Sequence, residues 1–166
     1  MPYFLPSVAP RCVEPFRLQR VPSQSAGIPS GGSFNCYRLI CPCGQELWRV
    51  HGYWFADFHE LADPLAVQCC NCHAVRELID RERDGYDGEI GAHGMERLTG
   101  PRDVWNCPYC HSAEGRLIAS FGYHYEEFGP TKAEVERSQD FFDAFILVHI
   151  CQNTDKVVEV AVFECA

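Results

Sequence analysis

The chain has 166 residues, of which 46% are hydrophobic and 22% are charged, proportions that exclude a disordered or low-complexity protein. No apolar run reaches the roughly 18–20 residues that a transmembrane helix needs, so the sequence predicts no membrane span. The formal net charge of −9 has the wrong sign for attracting phosphates and disfavours nucleic acid as the main partner.

Residues 1–33 are rich in proline, serine and glycine, and they predict an extended N-terminal strap followed by a linker. Prolines interrupt the apolar residues near the start, so the sequence predicts no secretory signal and favours a cytoplasmic protein. The strap is too apolar to be an inert tail. It can lie across the protein's own core or across a partner, and the sequence leaves both interpretations open.

Residues 34–82 predict a mostly β unit with two cysteine-containing turns. The strand-like run FNCYRLI precedes the turn CPCG, and ELWRVHGYWF follows it, rich in aromatic and branched residues. A further strand leads to CCNC, after which AVRELID is strand-like again. Glycines at every third position then predict a glycine-rich connecting loop over residues 83–103.

Residues 104–166 repeat this order, with the turn CPYC followed by the strand-like runs RLIASFGYHY, AFILVHIC and KVVEVAVFE. The template Gly-Tyr-x-aromatic-x-acid-Phe begins with the Gly-Tyr pair at 52–53 and again 70 residues later at 122–123. Each copy is predicted near the end of the strand after the first cysteine turn of its half. We interpret the chain as an internal duplication of two tandem β units.

The second unit is longer than the first. Cys69 corresponds to Cys151, which lies 82 residues further on. The extra residues fall near 131–143, a polar stretch of good helix formers that predicts a short inserted helix. The predicted fold class is therefore mostly β, a small α+β protein with an extended N-terminal segment.

The eleven cysteines are the strongest signal in the composition. In a reducing compartment, paired cysteines are more often metal ligands than disulfides. CPCG and CPYC resemble the first knuckle of the zinc-ribbon group of folds, and CCNC resembles its second. The resemblance implies two zinc-ribbon-like units, each holding one tetrahedral Zn²⁺.

Two sets of ligands are predicted from the positions of these turns. The predicted ligands of the first zinc ion are Cys41, Cys43, Cys69 and Cys72, and Cys70 replaces Cys69 if the turn is shifted. The predicted ligands of the second zinc ion are Cys107, Cys110, Cys151 and His149.

His149 is chosen because the counterpart of Cys72 is Thr154, whose hydroxyl does not hold zinc. His149 and Cys151 are two residues apart on a strand, so their side chains point to the same face. His111 is the alternative fourth ligand. Iron is the alternative metal, since iron–sulfur clusters also use cysteine pairs.

The sequence favours a non-catalytic adaptor or accessory protein that binds another protein. It contains no phosphate-binding loop, nucleophile elbow or zinc-protease helix motif, and closed tetrahedral sites leave zinc no position for a substrate. The predicted partner-binding aromatics are Tyr53, Trp54 and Tyr123, together with the N-terminal strap.

Two other function classes are weighed against the adaptor. Zinc ribbons often bind nucleic acid, but the basic cluster Arg76, Arg81 and Arg83 alternates with acidic residues. A zinc enzyme would need an open metal position at Thr154. A thiol enzyme is suggested because CPYC also resembles the glutaredoxin active site. That site requires a helix directly after the cysteines, and here the sequence predicts a strand.

Overall fold

The computed structural model describes residues 5–30, 33–55, 59–85, 97–123, 131–137 and 139–164, and it confirms a mostly β protein. The strands are β1 (Arg17–Val21), β2 (Phe34–Ile40), β3 (Leu47–Trp54), β4 (Leu61–Cys69), β5 (Val75–Ile79), β6 (Asp103–Val104), β7 (Gly115–Gly122), β8 (Ala144–Cys151) and β9 (Val157–Glu164). Helical structure among these residues comprises 3₁₀ turns at Arg11–Val13 and Ser23–Ala26 and one helix, α1 (Lys132–Glu136). None of these helices is long and apolar enough to cross a membrane.

The strands form one curled antiparallel sheet with the order β1-β2-β7-β3-β4-β5. β7 lies at its centre, with β8 along one edge and with β2 and then β3 along the other. β9 continues the sheet beyond β8, and β6 pairs with β3. Strands from both halves of the chain therefore share one sheet instead of forming two separate ones.

Two long strands of this sheet are each interrupted by a cysteine turn. β2 and β3 run in the same direction along β7, and residues 41–46 leave the sheet between them. β6 and β7 likewise share one direction along β3, and residues 105–114 leave the sheet between them. Each interruption carries one of the predicted cysteine pairs, so the pairing of the strands sets the position of both pairs.

The core fills the inside of the curl. β3 alternates buried and part-exposed residues, and its Trp48 and Val50 are completely buried. A period of two is what a half-buried strand requires. The indole N–H of Trp48 donates to the backbone oxygen of Leu39 at 2.9 Å, which satisfies the only donor of this buried side chain.

The N-terminal segment belongs to this core. β1 pairs with β2 at the edge of the sheet, and the 3₁₀ turn before it buries Val13 completely. Phe16 is 7% exposed and lies edge-on against Trp48, with ring centroids 5.4 Å apart. Of the two interpretations of the strap, residues 5–30 support the one in which it covers the chain's own core.

Both glycines of the repeated Gly-Tyr pair lie in strands where neighbouring residues approach closely. A Cβ on Gly52 would lie 2.5 Å from Cδ2 of Leu65, and one on Gly122 would lie 2.8 Å from Cβ of Ala144. Contacts this short force a neighbour to move, so each position requires a residue without a side chain. The repeat therefore follows from the packing of β3 and β7 against their neighbouring strands.

The predicted insertion near 131–143 contains only α1, a helix of five residues. The rest of this segment has no helix among the described residues. The prediction of an inserted helix is not confirmed beyond this single turn, and most of the predicted glycine-rich loop lies outside the described residues.

Candidate metal centres

Four tight turns present the cysteines, and three of them share one backbone geometry. In the turn that begins at Cys69, the amide of His73 donates to the carbonyl oxygen of Cys69 at 3.1 Å. The amide of Cys69 donates to the oxygen of Ala74 at 3.0 Å, and His73 has a left-handed φ of 59°. The same two bonds and the same left-handed residue recur in the turns Cys107–His111–Ser112 and Cys151–Asp155–Lys156.

The turn that begins at Cys41 is one residue shorter. The amide of Gly44 donates to the oxygen of Cys41 at 2.8 Å, and the amide of Cys41 donates to the oxygen of Gln45 at 2.8 Å. Gly44 has a φ of 92°, which favours glycine. The shorter turn accounts for the spacing Cys-x-Cys, because it still presents Cys41 and Cys43 on one side.

The first centre brings together four cysteine sulfurs. Sγ of Cys41 lies 3.6 Å from Sγ of Cys72, and Sγ of Cys43 lies 3.6 Å from Sγ of Cys69. All four sulfurs lie within 4.8 Å of one another. A disulfide has an S–S length of about 2.05 Å, whereas four sulfurs at about 2.3 Å from one tetrahedral ion lie about 3.8 Å apart. The four predicted residues can therefore hold a single metal ion.

The surroundings of the first centre affect its thiols differently. A hydrogen bond from the backbone of Gln45 lowers the pKa of Cys43 to about 6. Burial raises the pKa of Cys41 to about 12. The side-chain amide of Asn71 also lies 3.9 Å from Sγ of Cys43. Since the thiolate is the form that binds metal, an ion would bind with loss of the remaining thiol protons.

The second centre brings together three cysteine sulfurs, those of Cys107, Cys110 and Cys151, which lie within 4.8 Å of one another. Sγ of Cys110 is 3.2 Å from Sγ of Cys151. Burial raises the pKa of Cys151, but hydrogen bonds from Thr154, Cys110 and the local backbone outweigh it and lower this pKa to about 6. These three residues can also hold a metal ion.

The predicted fourth ligand, His149, is not part of this group. Among the described residues, neither His149 nor His111 brings a ring nitrogen within 4.8 Å of all three sulfurs. The imidazole of His149 is completely buried and packs against Trp105, with ring centroids 4.7 Å apart. Burial lowers the pKa of His149 to about 4, so the ring is neutral at physiological pH. In this structure His149 is a core residue, and its role as a ligand has no geometric support.

Gly115 provides a test of how tightly the second centre is packed. A Cβ at this position would lie 2.6 Å from the backbone oxygen of Ile150 and closer still to the ring of His149. We expect Gly115→Ala to lower the free energy of unfolding by about 1–3 kcal/mol, the usual cost of overpacking. Urea titration measures this loss.

The control for Gly115→Ala is the double variant with His149→Ala. Gly115→Ala should cost less in the His149→Ala background than in wild type, because the added methyl group and the ring compete for the same space. Wild-type stability of Gly115→Ala would contradict the packing described here.

The predicted partner-binding aromatics differ in exposure. Trp54 is 43% exposed at the end of β3, whereas Tyr53 is partly exposed and its hydroxyl donates to the oxygen of Gly100 at 2.8 Å. Tyr123 is only 2% exposed, so its prediction as a surface contact is wrong. It follows the central strand β7, and its amide donates to the oxygen of Ser33. Sequence reasoning did not single out Tyr109, which is 58% exposed in the turn that begins at Cys107.

Two arginines of the predicted basic cluster, Arg81 and Arg83, are paired with acids. Arg81 and Asp63 form an ion pair that is almost completely buried, and Arg83 lies 2.7 Å from Asp84. Other arginines on the surface form the pairs Arg97–Asp80, Arg97–Glu82, Arg102–Glu77, Arg116–Asp155 and Arg49–Glu114. This pairing reduces the positive field that phosphate binding needs.

Comparison of the chain with protein-family models, with curated proteins and with solved structures gave no match.

The resemblance of CPYC to the glutaredoxin site does not extend to the surrounding structure. Strand β7 follows Cys110 after a few residues, and the described residues contain no helix whose N-terminus faces the thiols.

Proposed function

We propose that this protein is a zinc-stabilised, non-catalytic adaptor that binds another protein. The observation that carries the proposal is the first centre, where four cysteine sulfurs lie within 4.8 Å of one another. Four protein ligands complete a tetrahedral ion and leave it no position for a substrate, which is the arrangement of structural zinc sites. The cytoplasm is the proposed location, since the ten described cysteines are free thiols and a reducing compartment preserves them.

Zinc is the proposed metal because the spacing of the sulfurs suits a single tetrahedral ion. Thiolate ligands in tetrahedral geometry are typical of zinc. A multi-iron cluster would distribute the cysteines over several metal atoms. The sulfurs of Cys41 and Cys72 are instead only 3.6 Å apart, close enough to bind the same ion. Two zinc ions per chain are proposed, one in each centre.

We also propose that the chain arose by duplication of one zinc-ribbon-like unit. Each half contains a strand, a cysteine turn, a second strand, a third strand, a second tight turn and a final strand. The second turns, which begin at Cys69 and Cys151, have the same hydrogen bonds. Gly52 and Gly122 both lie near the ends of the strands that follow the first turns.

The proposed partner surface lies around the end of β3 and the edge strand β5. Trp54 is 43% exposed, and Val75 on β5 is 59% exposed. Tyr53 and Val75 line the same cleft, together with the polar side chains of His51, Gln68 and Arg102. Exposed aromatic and apolar groups beside polar ones are typical of protein interfaces. The ion pairing of the arginines and the net charge of −9 support a protein over a nucleic acid.

A photo-crosslinking amino acid in the full chain tests this function. Placed at position 54, it should yield one discrete adduct with a protein in cells that express the natural chain. Position 109 is the matched control, because Tyr109 is also an exposed aromatic but lies in the turn that begins at Cys107. Excess wild-type protein should abolish the adduct, whereas excess Val75→Asp should not.

Three results would overturn the adaptor function. They are equal labelling from both positions, an adduct that nuclease removes, and the absence of any adduct that wild-type protein competes away. Sensitivity to nuclease would favour the nucleic-acid-binding alternative.

A further inference from the structure

The second metal centre differs from the first at one of the four ligand positions of a tetrahedral site, which we call the open corner. In the first centre the four sulfurs form two close pairs, each joining one residue from either turn. The close pair Cys43–Cys69 of the first centre corresponds to the close pair Cys110–Cys151 of the second. The equivalence of the turns matches the other pair, Cys41 and Cys72, with Cys107 and Thr154. The second centre therefore has a hydroxyl residue at the position where the first has its fourth sulfur.

The backbone places Thr154 at this corner. The turn from Cys151 to Lys156 has the hydrogen bonds of the turn from Cys69 to Ala74, so the fourth residue of each turn occupies an equivalent position. The amide of Lys156 donates to Oγ1 of Thr154 at 3.4 Å, and the side chain of Thr154 hydrogen-bonds to Cys151. The hydroxyl thus supports the sulfur of a ligand, and a neutral alcohol is a poor zinc ligand itself.

The open corner faces solvent. Thr154 is exposed, as is Cys72, its counterpart in the first centre. Cys110 is partly exposed, so the sulfur side of the centre is also accessible. The nearest buried imidazole, that of His149, packs against Trp105 and not at this corner. A small molecule can therefore reach the fourth position without displacing the core.

A cation lies beside this opening. The ammonium of Lys156 lies 3.6 Å from the ring centroid of Tyr109, a cation–π contact that joins the two turns of the second centre. Both side chains are on exposed residues. The positive charge favours an anionic fourth ligand over a neutral one.

We propose that a metal ion in the second centre binds three cysteine thiolates and takes the thiolate of a small soluble thiol as its fourth ligand. This inference rests on the proposed zinc binding at that centre. Zinc that is already bound by thiolates favours another soft ligand. Sulfur is softer than the oxygen of water, so a thiolate is favoured over water at the fourth position. In the binding step the thiol displaces a water from the metal, the S–metal bond replaces the O–metal bond, and the thiol proton passes to solvent. No electron is transferred, and the oxidation state of zinc stays the same.

Cobalt substitution in the full chain tests the open corner, because Co²⁺ bound by thiolates absorbs visible light. The probe is 2-mercaptoethanol, and ethylene glycol is its oxygen analogue. In wild-type protein the thiol should produce a saturable increase in the cobalt–thiolate band, equal to one additional thiolate per chain. Ethylene glycol should produce no increase.

Two variants at one position provide the controls. Thr154→Ser keeps the hydroxyl and the open corner, so it should respond to the thiol as wild type does. Thr154→Cys supplies a fourth protein thiolate, so its spectrum should already contain the additional band and should not change with thiol.

The metal content of the same samples separates the two proposals. Fewer than two cobalt ions per chain would mean that zinc binding at the second centre is wrong. Two ions per chain without a response to the thiol would overturn only the proposal that a small thiol binds at the open corner. An equal response of Thr154→Cys would overturn it as well. So would a wild-type dimer that Thr154→Cys converts to monomer, since a second chain would then fill the corner.

Discussion

Cys69→Ala is expected to remove one zinc ion per chain and to unfold much of the protein at ordinary temperature. Cys69 is completely buried, and its sulfur lies 3.6 Å from that of Cys43 in the first centre. A structural zinc site contributes an apparent binding free energy of roughly 10–16 kcal/mol, because the site forms only as the protein folds. Loss of the packing of one small side chain costs only about 1–2 kcal/mol. The metal term therefore dominates, and elemental analysis with thermal unfolding measures both effects.

The neighbouring cysteine is a matched control. Cys70 is partly buried and adjacent in sequence, but its sulfur is not in the group of four. Cys70→Ala should keep both zinc ions and unfold within a few degrees of wild type. If Cys70→Ala loses the ion and Cys69→Ala keeps it, the turn is shifted by one residue. If both keep two ions, the first centre is not a metal site.

The first centre could be predicted from the sequence because metal-binding turns are local. The spacing of Cys69 and Cys72 is that of one tight turn, and the left-handed residue after them completes it. The choice between Cys69 and Cys70 depended on the register of the turn, which the sequence does not show. The structure decides it by placing the sulfur of Cys69, and not that of Cys70, within the group of four.

The second centre shows the limit of that argument. Alternation along β8 correctly puts His149 on the same face as Cys151. Alternation does not determine how deeply a side chain lies, and the ring of His149 packs against Trp105 in the core. The equivalence of Thr154 and Cys72, which the alignment of the two halves predicts, agrees with the matching backbone hydrogen bonds of their turns.

The sharing of one sheet by both halves could not be predicted. Phe34 pairs with Gly122, and no local pattern records a contact between residues so far apart in sequence. The error at Tyr123 has a related origin. The repeat predicts the same environment for Tyr123 and Tyr53, but Tyr123 is only 2% exposed, and its amide donates to the oxygen of Ser33, which is also distant in sequence.

Phe16→Ala is expected to lower the free energy of unfolding by about 3–5 kcal/mol, the usual cost of truncating a buried aromatic residue. Its ring is 7% exposed and lies edge-on against Trp48, a geometry that contributes about 0.5–1.5 kcal/mol beyond the buried area. Urea titration of zinc-loaded protein measures the loss. Val8→Ala is the control, because Val8 is 48% exposed and its truncation should change stability by less than about 0.5 kcal/mol.

Deletion of residues 1–21 extends this test from one side chain to the whole segment. It removes β1 from the edge of the sheet and removes the buried side chains of Val13 and Phe16 from the core. We expect the truncated chain to be unfolded and to bind zinc weakly, since metal binding and folding are coupled in small sites. A truncated chain that folds, keeps two zinc ions and loses only the crosslinked adduct at position 54 would show instead that the segment serves the partner. In that case the contact between Phe16 and Trp48 would contribute little to the stability of the fold.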